Sequence, residues 1–339
     1  MAAEPHRPLH LDATVLICTY NRGNLLGETL DAIAKIRTAL AWEVVVVDNN
    51  SADHTRSVVE SRQTFYPVPL RYLFEPRQGN SFALNTGIAA THATIIAFTD
   101  DDVRVTEEWL QAGCAPMLSN RAIDYTGGPV RPIWDAPPPA WVDQTRSDLW
   151  GTVAILDYGP TSFVFEERKR VPLGANMAVR RTLFDRVGNF DTNLGRVGNS
   201  LRGQAQAEFF CRSRNAGARG VYVPAMAVEH HIPASRLTRR YFRRWWFMKG
   251  TGRQRLEQIH TTTELGIDLS QVPKIAGIPR YMYGSAVRDV RGYVRALATG
   301  DRLDAVRHEM MLCYFAGYMR GCLSADASPP PAECVAAST

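Results

Sequence analysis

An α/β fold built on a doubly wound, mostly parallel sheet flanked by helices follows from three features of this 339-residue sequence. Short apolar, β-branched runs alternate with segments whose apolar residues recur at helical spacing. The connections between them are short, as in strands that cross over through helices. Polar clusters fall directly after the strand-like runs, at the sheet edge where such folds bind ligands.

Each element can be justified in order. The first apolar run, 13–18, ends in Thr19-Tyr20-Asn21-Arg22. Leu25, Leu26, Leu30, Ile33, Ile36 and Leu40 then predict a helix. A second run, 43–47, is closed by Asp48-Asn49-Asn50-Ser51. The pattern continues with a helix over 52–65, a strand over 70–74, a helix over 81–90 and a strand over 94–98. Runs of this length and composition are buried on both faces, as in parallel sheets. Asp100-Asp101-Asp102 follows the fourth run. Beyond it, 106–118 predicts a helix, and a strand starting at 125 meets a break at Gly127-Gly128. The Pro- and Trp-rich stretch 132–172 has no clean period and predicts a long functional or mobile loop. An extended stretch at 174–177, helices at 182–187 and 205–216, and short extended pieces at 221–224 and 226–230 come next. A basic aromatic helix over 236–257 and two more over 278–298 and 303–323 form a C-terminal helical extension, with a disordered tail expected after it.

Composition narrows the class. Hydrophobic residues make up 45% and charged residues 22%, ordinary for a well-cored globular protein. The net charge of +5 is local: the segment from Arg236 to Arg255 holds seven Arg and one Lys with no acid. The rest of the chain is net acidic, so the basic segment reads as a surface for something anionic. Six cysteines without a C-x-x-C pair suggest a reducing, cytoplasmic setting. No segment has the roughly 18 apolar residues that a bilayer span needs, so membrane contact is expected to be peripheral, on the inner face.

The polar clusters carry the chemistry. Three adjacent carboxylates repel one another unless a cation neutralises them. Hard oxygen ligands suit Mn²⁺ or Mg²⁺ holding a diphosphate, whereas the bland alternative is a solvated turn capping the next helix. Asp48, at a strand end, can accept from a nucleobase or a ribose hydroxyl, or simply cap a helix. Tyr20 can stack on a base or sit at the core rim. Arg77 can meet phosphate beside Gly79, or stand as an exposed loop arginine. His230 is a further ligand for such an ion if the fold brings it to Asp102, and otherwise a structural strand-end histidine. No G-x-G-x-x-G follows the first strand, against a nicotinamide enzyme.

With these pieces in place, residues 14–231 resemble the inverting family-2 glycosyltransferases of the GT-A fold. The resemblance rests on Cys18-Thr19-Tyr20-Asn21-Arg22, Val47-Asp48-Asn49-Asn50-Ser51, Asn85-Thr86-Gly87 and Phe98-Thr99-Asp100-Asp101-Asp102. It continues through Gly127-Gly128, Gly174-Ala175-Asn176-Met177, Gly188-Asn189-Phe190-Asp191, Arg212 and Val228-Glu229-His230. It implies transfer of a sugar from a nucleotide-diphosphate sugar to an acceptor hydroxyl with inversion, in cell-envelope polysaccharide, glycolipid or other glycoconjugate synthesis. Thr19, Tyr20, Arg22, Asp48, Arg77, Asn85, Asp100 and Asp101 would line the donor site. Asp102 and His230 would hold a divalent cation, Mn²⁺ or Mg²⁺. Gly127, Gly128, Gly174 and Asn176 would shape the acceptor pocket. The domain would span 1–232, with a donor half over 13–104, an acceptor half over 105–232, and the helical extension over 233–325.

One departure matters. The family carries an acidic pair before Arg212, one member of which deprotonates the acceptor. Here those positions are Ala205 and Gln206. Glu208 or Asp191 would then substitute, or the acceptor needs little base help, or transfer is lost. A non-catalytic sugar-nucleotide- or glycan-binding relative and a nucleotidyltransferase are the alternatives. The segment 236–255, with Arg239, Arg240, Arg243, Arg244, Trp245 and Trp246, suits an anionic membrane bearing a lipid-linked acceptor, against a packed, solvated helix. Nucleic acid is disfavoured as a partner, because no recognition module accompanies the charge.

Overall fold

The computed structural model describes residues 11–142, 147–198, 200–201 and 203–325, and the tail expected beyond 325 lies outside them. The amino-terminal half is the predicted alternation: β1 (Ala13–Thr19), α1 (Gly23–Ile33), β2 (Trp42–Asp48), α2 (Thr55–Gln63), β3 (Leu70–Phe74), α3 (Asn80–Ala90) and β4 (Ile95–Asp100). Every residue of β2 is buried, and β1 is almost as deep, as strands covered on both faces must be. β5 (Val103–Val105), α4 (Trp109–Ser119), β6 (Tyr125–Gly127) and β7 (Val130–Trp134) follow. The break expected at Gly127-Gly128 parts two strands, at Gly128-Pro129. A Cβ on Gly128 would stand 1.9 Å from the Met226 carbonyl oxygen, so only glycine lets these backbones touch.

The described residues of the stretch 132–172 hold more regular structure than their composition predicts. It holds the end of β7, a 3₁₀ turn at Ser147–Val153 and β8 (Phe163–Val164). Trp141, Leu149, Trp150 and Val153 pack with the C-terminal helices, which gives this loop a core of its own. Then come β9 (Asn176–Arg180), α5 (Arg181–Val187), α6 (Ala205–Asn215), β10 (Gly220–Tyr222) and β11 (Val228–Ile232). The extension comprises α7 (Arg239–Ile259), a hairpin of β12 (Lys274–Ile275) and β13 (Ile278–Pro279), α8 (Arg280–Thr299) and α9 (Arg302–Ala325).

The main sheet has the order β3-β2-β1-β4-β9-β6-β10-β8. β3, β2, β1 and β4 are parallel, and β9 runs antiparallel between β4 and β6. A second, three-stranded sheet, β5-β11-β7, pairs His230 with Val103. That register sets His230 beside the acidic turn between β4 and β5. Phe98, Phe184, Phe190 and Phe209 form one aromatic cluster beneath it, with ring centroids 4.9–6.1 Å apart.

α7 buries one face and leaves Arg239, Arg240, Arg243, Arg244 and Arg255 exposed on the other. Phe242, Trp246, Gly250 and Gln254 are buried at helical spacing against α9. Gly250 and Gly317 let the two backbones meet, since a Cβ on either would fall 1.9–2.1 Å from the opposing carbonyl oxygen. Arg239 and Arg243 both bind Glu309, and Arg253 makes two 2.7 Å bonds to Glu264. The segment 236–255 therefore buries one face against α9 and pairs Arg239, Arg243 and Arg253 with acids of other elements, while Arg240 and Arg255 stay exposed.

Candidate functional site

The carboxyl ends of β1, β2 and β4 meet at one edge. Asn21 and Asn50 both take left-handed backbone conformations, with φ of 52° and 66°, which asparagine tolerates better than most residues. Ser51 Oγ accepts from Asn21 N at 2.9 Å, and Asn21 Oδ1 accepts from Ala52 N at 2.7 Å, locking the two loops together. Asn49 organises the third loop: its amide donates to the carbonyls of Glu75 and Arg77, and its Oδ1 accepts from Gly79 N. Gly79, at φ 148° and ψ 134°, holds a conformation essentially reserved for glycine.

Asp48 is buried; Oδ1 accepts from Ser51 N at 2.9 Å and Oδ2 from the Tyr72 hydroxyl at 2.8 Å. Beside it opens a pocket of about 320 Å³ bordered by Ser51, Arg56, Tyr72 and Phe74. Tyr20 is exposed at the end of β1, and the neighbouring Thr19 is buried. Arg77 is committed to Glu75 by a two-toothed contact of 2.8 and 2.7 Å, with its guanidinium 4.8 Å over the Phe82 ring. That contact, above all, holds the buried Glu75 carboxyl down to about 2. Its folded value lies below the ordinary one, so the stabilisation is complete above about 4.5 and is lost as pH falls toward 2. Glu75→Gln should flatten this acid limb in urea unfolding midpoints; an unchanged limb would contradict the pairing.

The acidic turn is built around Arg22. Its Nη1 donates to Asp101 Oδ1 at 2.8 Å and to Asp102 Oδ2 at 2.7 Å. Thr29 of α1 donates to the Asp101 carbonyl and accepts from Val103 N, pinning the turn from below. The resemblance sets Arg22 against donor; the structure gives it the task of holding two carboxylates in place. Asp100 is exposed on the cleft side but hemmed in elsewhere. Desolvation, then the Asp102 charge, pushes its carboxyl above the ordinary range. Burial also raises Asp101, to about 6. Burial acts on Asp102 in the same direction, but His230 and Arg22 outweigh it and hold that carboxyl at about 2.

Asp100, Asp102 and His230 offer ligand atoms within 4.8 Å of one another. His230 Nε2 stands 3.3 Å from Asp102 Oδ1, and both side chains are almost fully buried. Asp102 Oδ1 has no hydrogen-bond partner in this arrangement. Two atoms bound at right angles to one ion at about 2.1 Å would lie about 3 Å apart, close to this spacing. A buried acceptor without a donor, beside an imidazole nitrogen and a second carboxylate, fits a divalent cation.

The remaining expected residues take scaffold positions. Asn85 donates to and accepts from the Phe190 backbone, tying α3 to the loop after α5 instead of facing donor. Asn176 is fully buried; it accepts from Trp109 Nε1 and donates to the carbonyls of Pro129 and Met226. Gly127 packs against Pro172, and Gly128 against Met226. Gly174 N donates to Gln206 Oε1, whose Nε2 donates to Pro172 O, so Gln206 braces α6 against the 172–174 loop. Glu208, expected as a substitute base, is bound through both oxygens to Arg212 and through Oε1 to His260. Burial raises its carboxyl, but these partners hold it below the ordinary range. Asp191 is half-buried, and its Oδ1 accepts from Asn193 N at 2.7 Å.

Asn49, Thr29, Glu75 and the brace made by Gln206 escape sequence reasoning. Asn49 stands in a cluster that could have pointed to it. Thr29 carries no sequence signal, because its partners Asp101 and Val103 lie across the fold, whereas Glu75 stands two residues before its partner Arg77.

Known proteins bear on this geometry. Residues 14–188 match the family described as Glycosyl transferase family 2. The Succinoglycan biosynthesis protein ExoM of Rhizobium meliloti is 26% identical over 261 residues, covering 76% of this chain and 78% of that protein. The Glucosyl-dolichyl phosphate glucuronosyltransferase of Haloferax volcanii is 25% identical over 225 residues, covering 66% and 70%. In fold, the chain is similar to the mannosyltransferase PcManGT from Pyrobaculum calidifontis, solved in complex with GDP-Man and Mn²⁺. That likeness has a TM-score of 0.60 and 19% identity over 93% of this chain and 88% of the other. A parallel sheet edge carrying an acidic turn and a strand-end histidine, in a chain half of which matches that family, leaves one assignment: the protein belongs to glycosyl transferase family 2 and is a glycosyltransferase.

Proposed function

We propose that this chain transfers a sugar, with inversion, from a nucleotide-diphosphate sugar to a hydroxyl of a glycan, lipid-linked or small-molecule acceptor. The observation that carries this reading is the uncommitted, buried Asp102 Oδ1 facing His230 and Asp100. Asp100, Asp102 and His230 would hold Mn²⁺ or Mg²⁺. Such an ion, when bound, supplies charge neutralisation for a leaving diphosphate. Asp48 and the pocket beside it would take the nucleoside, with Tyr20 and Thr19 at its mouth. Arg22 keeps the acidic turn preorganised, so no side chain must reorganise as charge develops. The donor half would span 13–104, the acceptor half 105–232 and the extension 233–325. Family membership displaces the nucleotidyltransferase alternative.

The acceptor side favours a second reading. Ala205 and Gln206 supply no carboxylate, and Glu208 is spent in an ion pair. A relative that binds donor without transfer would look like this. Release of nucleotide diphosphate from a panel of nucleotide sugars, with Mn²⁺ or Mg²⁺ and sugar acceptors, decides between them. Turnover with at least one donor is the expected outcome; saturable donor binding with no release across the panel would support the non-catalytic reading.

A further inference from the structure

α8 is the outermost layer of the extension, packed on α9, which in turn packs on α7. Only Met282 and Ala296 of its twenty residues are buried. On its free side Val287, Val290, Val294 and Leu297 are 50–61% exposed, at spacings of three, four and three residues. These form one continuous aliphatic stripe along almost three turns. At 100° per residue, Arg280, Arg288, Arg291 and Arg295 fall in a row along one edge of that stripe, and all four are exposed. The acid on the helix, Asp289, points inward to His308 Nδ1 at 2.8 Å. The free face therefore carries aliphatic and cationic groups and no carboxylate. Beside the start of α8, the β12–β13 hairpin adds Lys274 and the exposed Ile275, held by the Tyr283 hydroxyl on the Ile275 carbonyl.

We infer that α8 lies in the plane of an anionic membrane surface, its aliphatic stripe at the headgroup boundary and its arginine row on lipid phosphates. An amphipathic helix binds an interface through buried apolar area plus attraction to anionic lipid, and α8 offers both on one face. Length and polarity suit lying on the surface: no helix among the described residues is long and apolar enough to cross a membrane. Charge argues against the other occupant of an apolar stripe, a second copy of this chain. An antiparallel two-fold contact would set one arginine row close to its own copy with no carboxylate to answer it. The site is distinct from α7, where Arg239, Arg243 and Arg253 pair with Glu309 and Glu264, and does not depend on the transfer reading.

The test uses the full chain and sedimentation with vesicles, either pure phosphatidylcholine or phosphatidylcholine with 30% phosphatidylglycerol. Binding is expected to the anionic vesicles alone and to fall steeply in 0.5 M NaCl. The double variant Val294→Glu/Leu297→Glu should weaken it by about tenfold or more, as should Arg288→Glu/Arg291→Glu. All four side chains point to solvent, so circular dichroism melting should be unchanged and any loss is attributable to the surface. Equal binding to neutral vesicles, or binding that survives both variants, overturns the proposal. So does a dimer in sedimentation velocity that Val294→Glu/Leu297→Glu dissolves while the wild-type chain leaves vesicles untouched.

Discussion

Asp102→Ala should lower nucleotide release by at least about 10²–10³-fold and remove its response to divalent cation, the scale expected when a preorganised charge site loses a principal member. The expectation rests on position. Asp102 Oδ1 is the buried oxygen left without a donor, and it faces His230 Nε2 at 3.3 Å. Asp102 Oδ2 is already taken by Arg22, so the two oxygens divide the labour between scaffold and ligand. Asp101→Asn is the contrasting variant. It removes the negative charge paired with Arg22, although its amide oxygen can still accept from Nη1, and touches none of the three grouped ligand atoms, so it should lose turnover less severely. Cation-dependent thermal stabilisation gives a readout besides turnover: Mn²⁺ should raise the melting temperature of wild type and of Asp101→Asn, and leave Asp102→Ala unmoved. A cation response that persists in Asp102→Ala would place the ion elsewhere.

How far the sequence reaches depends on whether a residue's partners are local. β1 through β4 and their helices are legible because each strand is a short apolar run between helical periods, information carried within about ten residues. The turn at 100–102 is legible for the same reason: three acids after a buried strand are unusual on their own. The His230 contact comes only from the resemblance, since β11 meets β5 across more than a hundred residues of chain. The stretch 132–172 reads in sequence as a functional or mobile loop because the packing of its Trp141 and Trp150 is on helices far along the chain. α7 misleads in the opposite sense. Its Arg and Trp content is that of an interface helix, but Glu309 and Glu264, in other elements, take up Arg239, Arg243 and Arg253. α8, less basic and without tryptophan, keeps the free face. Composition locates charge; only packing says whether that charge is already answered.

Glu208→Ala should destabilise the fold by about 3–5 kcal/mol, the range for removing one partner of a buried ion pair and stranding the other. Glu208 is 4% exposed and accepts two 2.7 Å bonds from Arg212 and one of 3.0 Å from His260. Arg212 also donates to the carbonyls of Val187, Gly188 and Asn189, so the pair fixes the loop that leads to Asp191. A carboxylate in this position is an anchor. Both its oxygens are engaged, and its proton affinity is held down, which is the wrong direction for a base working near neutral pH. Glu208→Gln tests that argument more sharply than alanine, because it keeps the shape and removes the charge. It should lower the urea midpoint while the pH profile of turnover keeps its limbs. If the variant instead folds as stably as wild type and loses the acid-side limb of that profile, Glu208 is the base and the anchor reading fails. Asp191→Asn then becomes the informative partner. Asp191 Oδ1 accepts from Asn193 N, a contact within its own turn that the amide oxygen can keep. The variant should therefore leave stability nearly unchanged, and a loss of turnover with altered pH dependence would mark Asp191 as the substitute for the acids missing at Ala205 and Gln206.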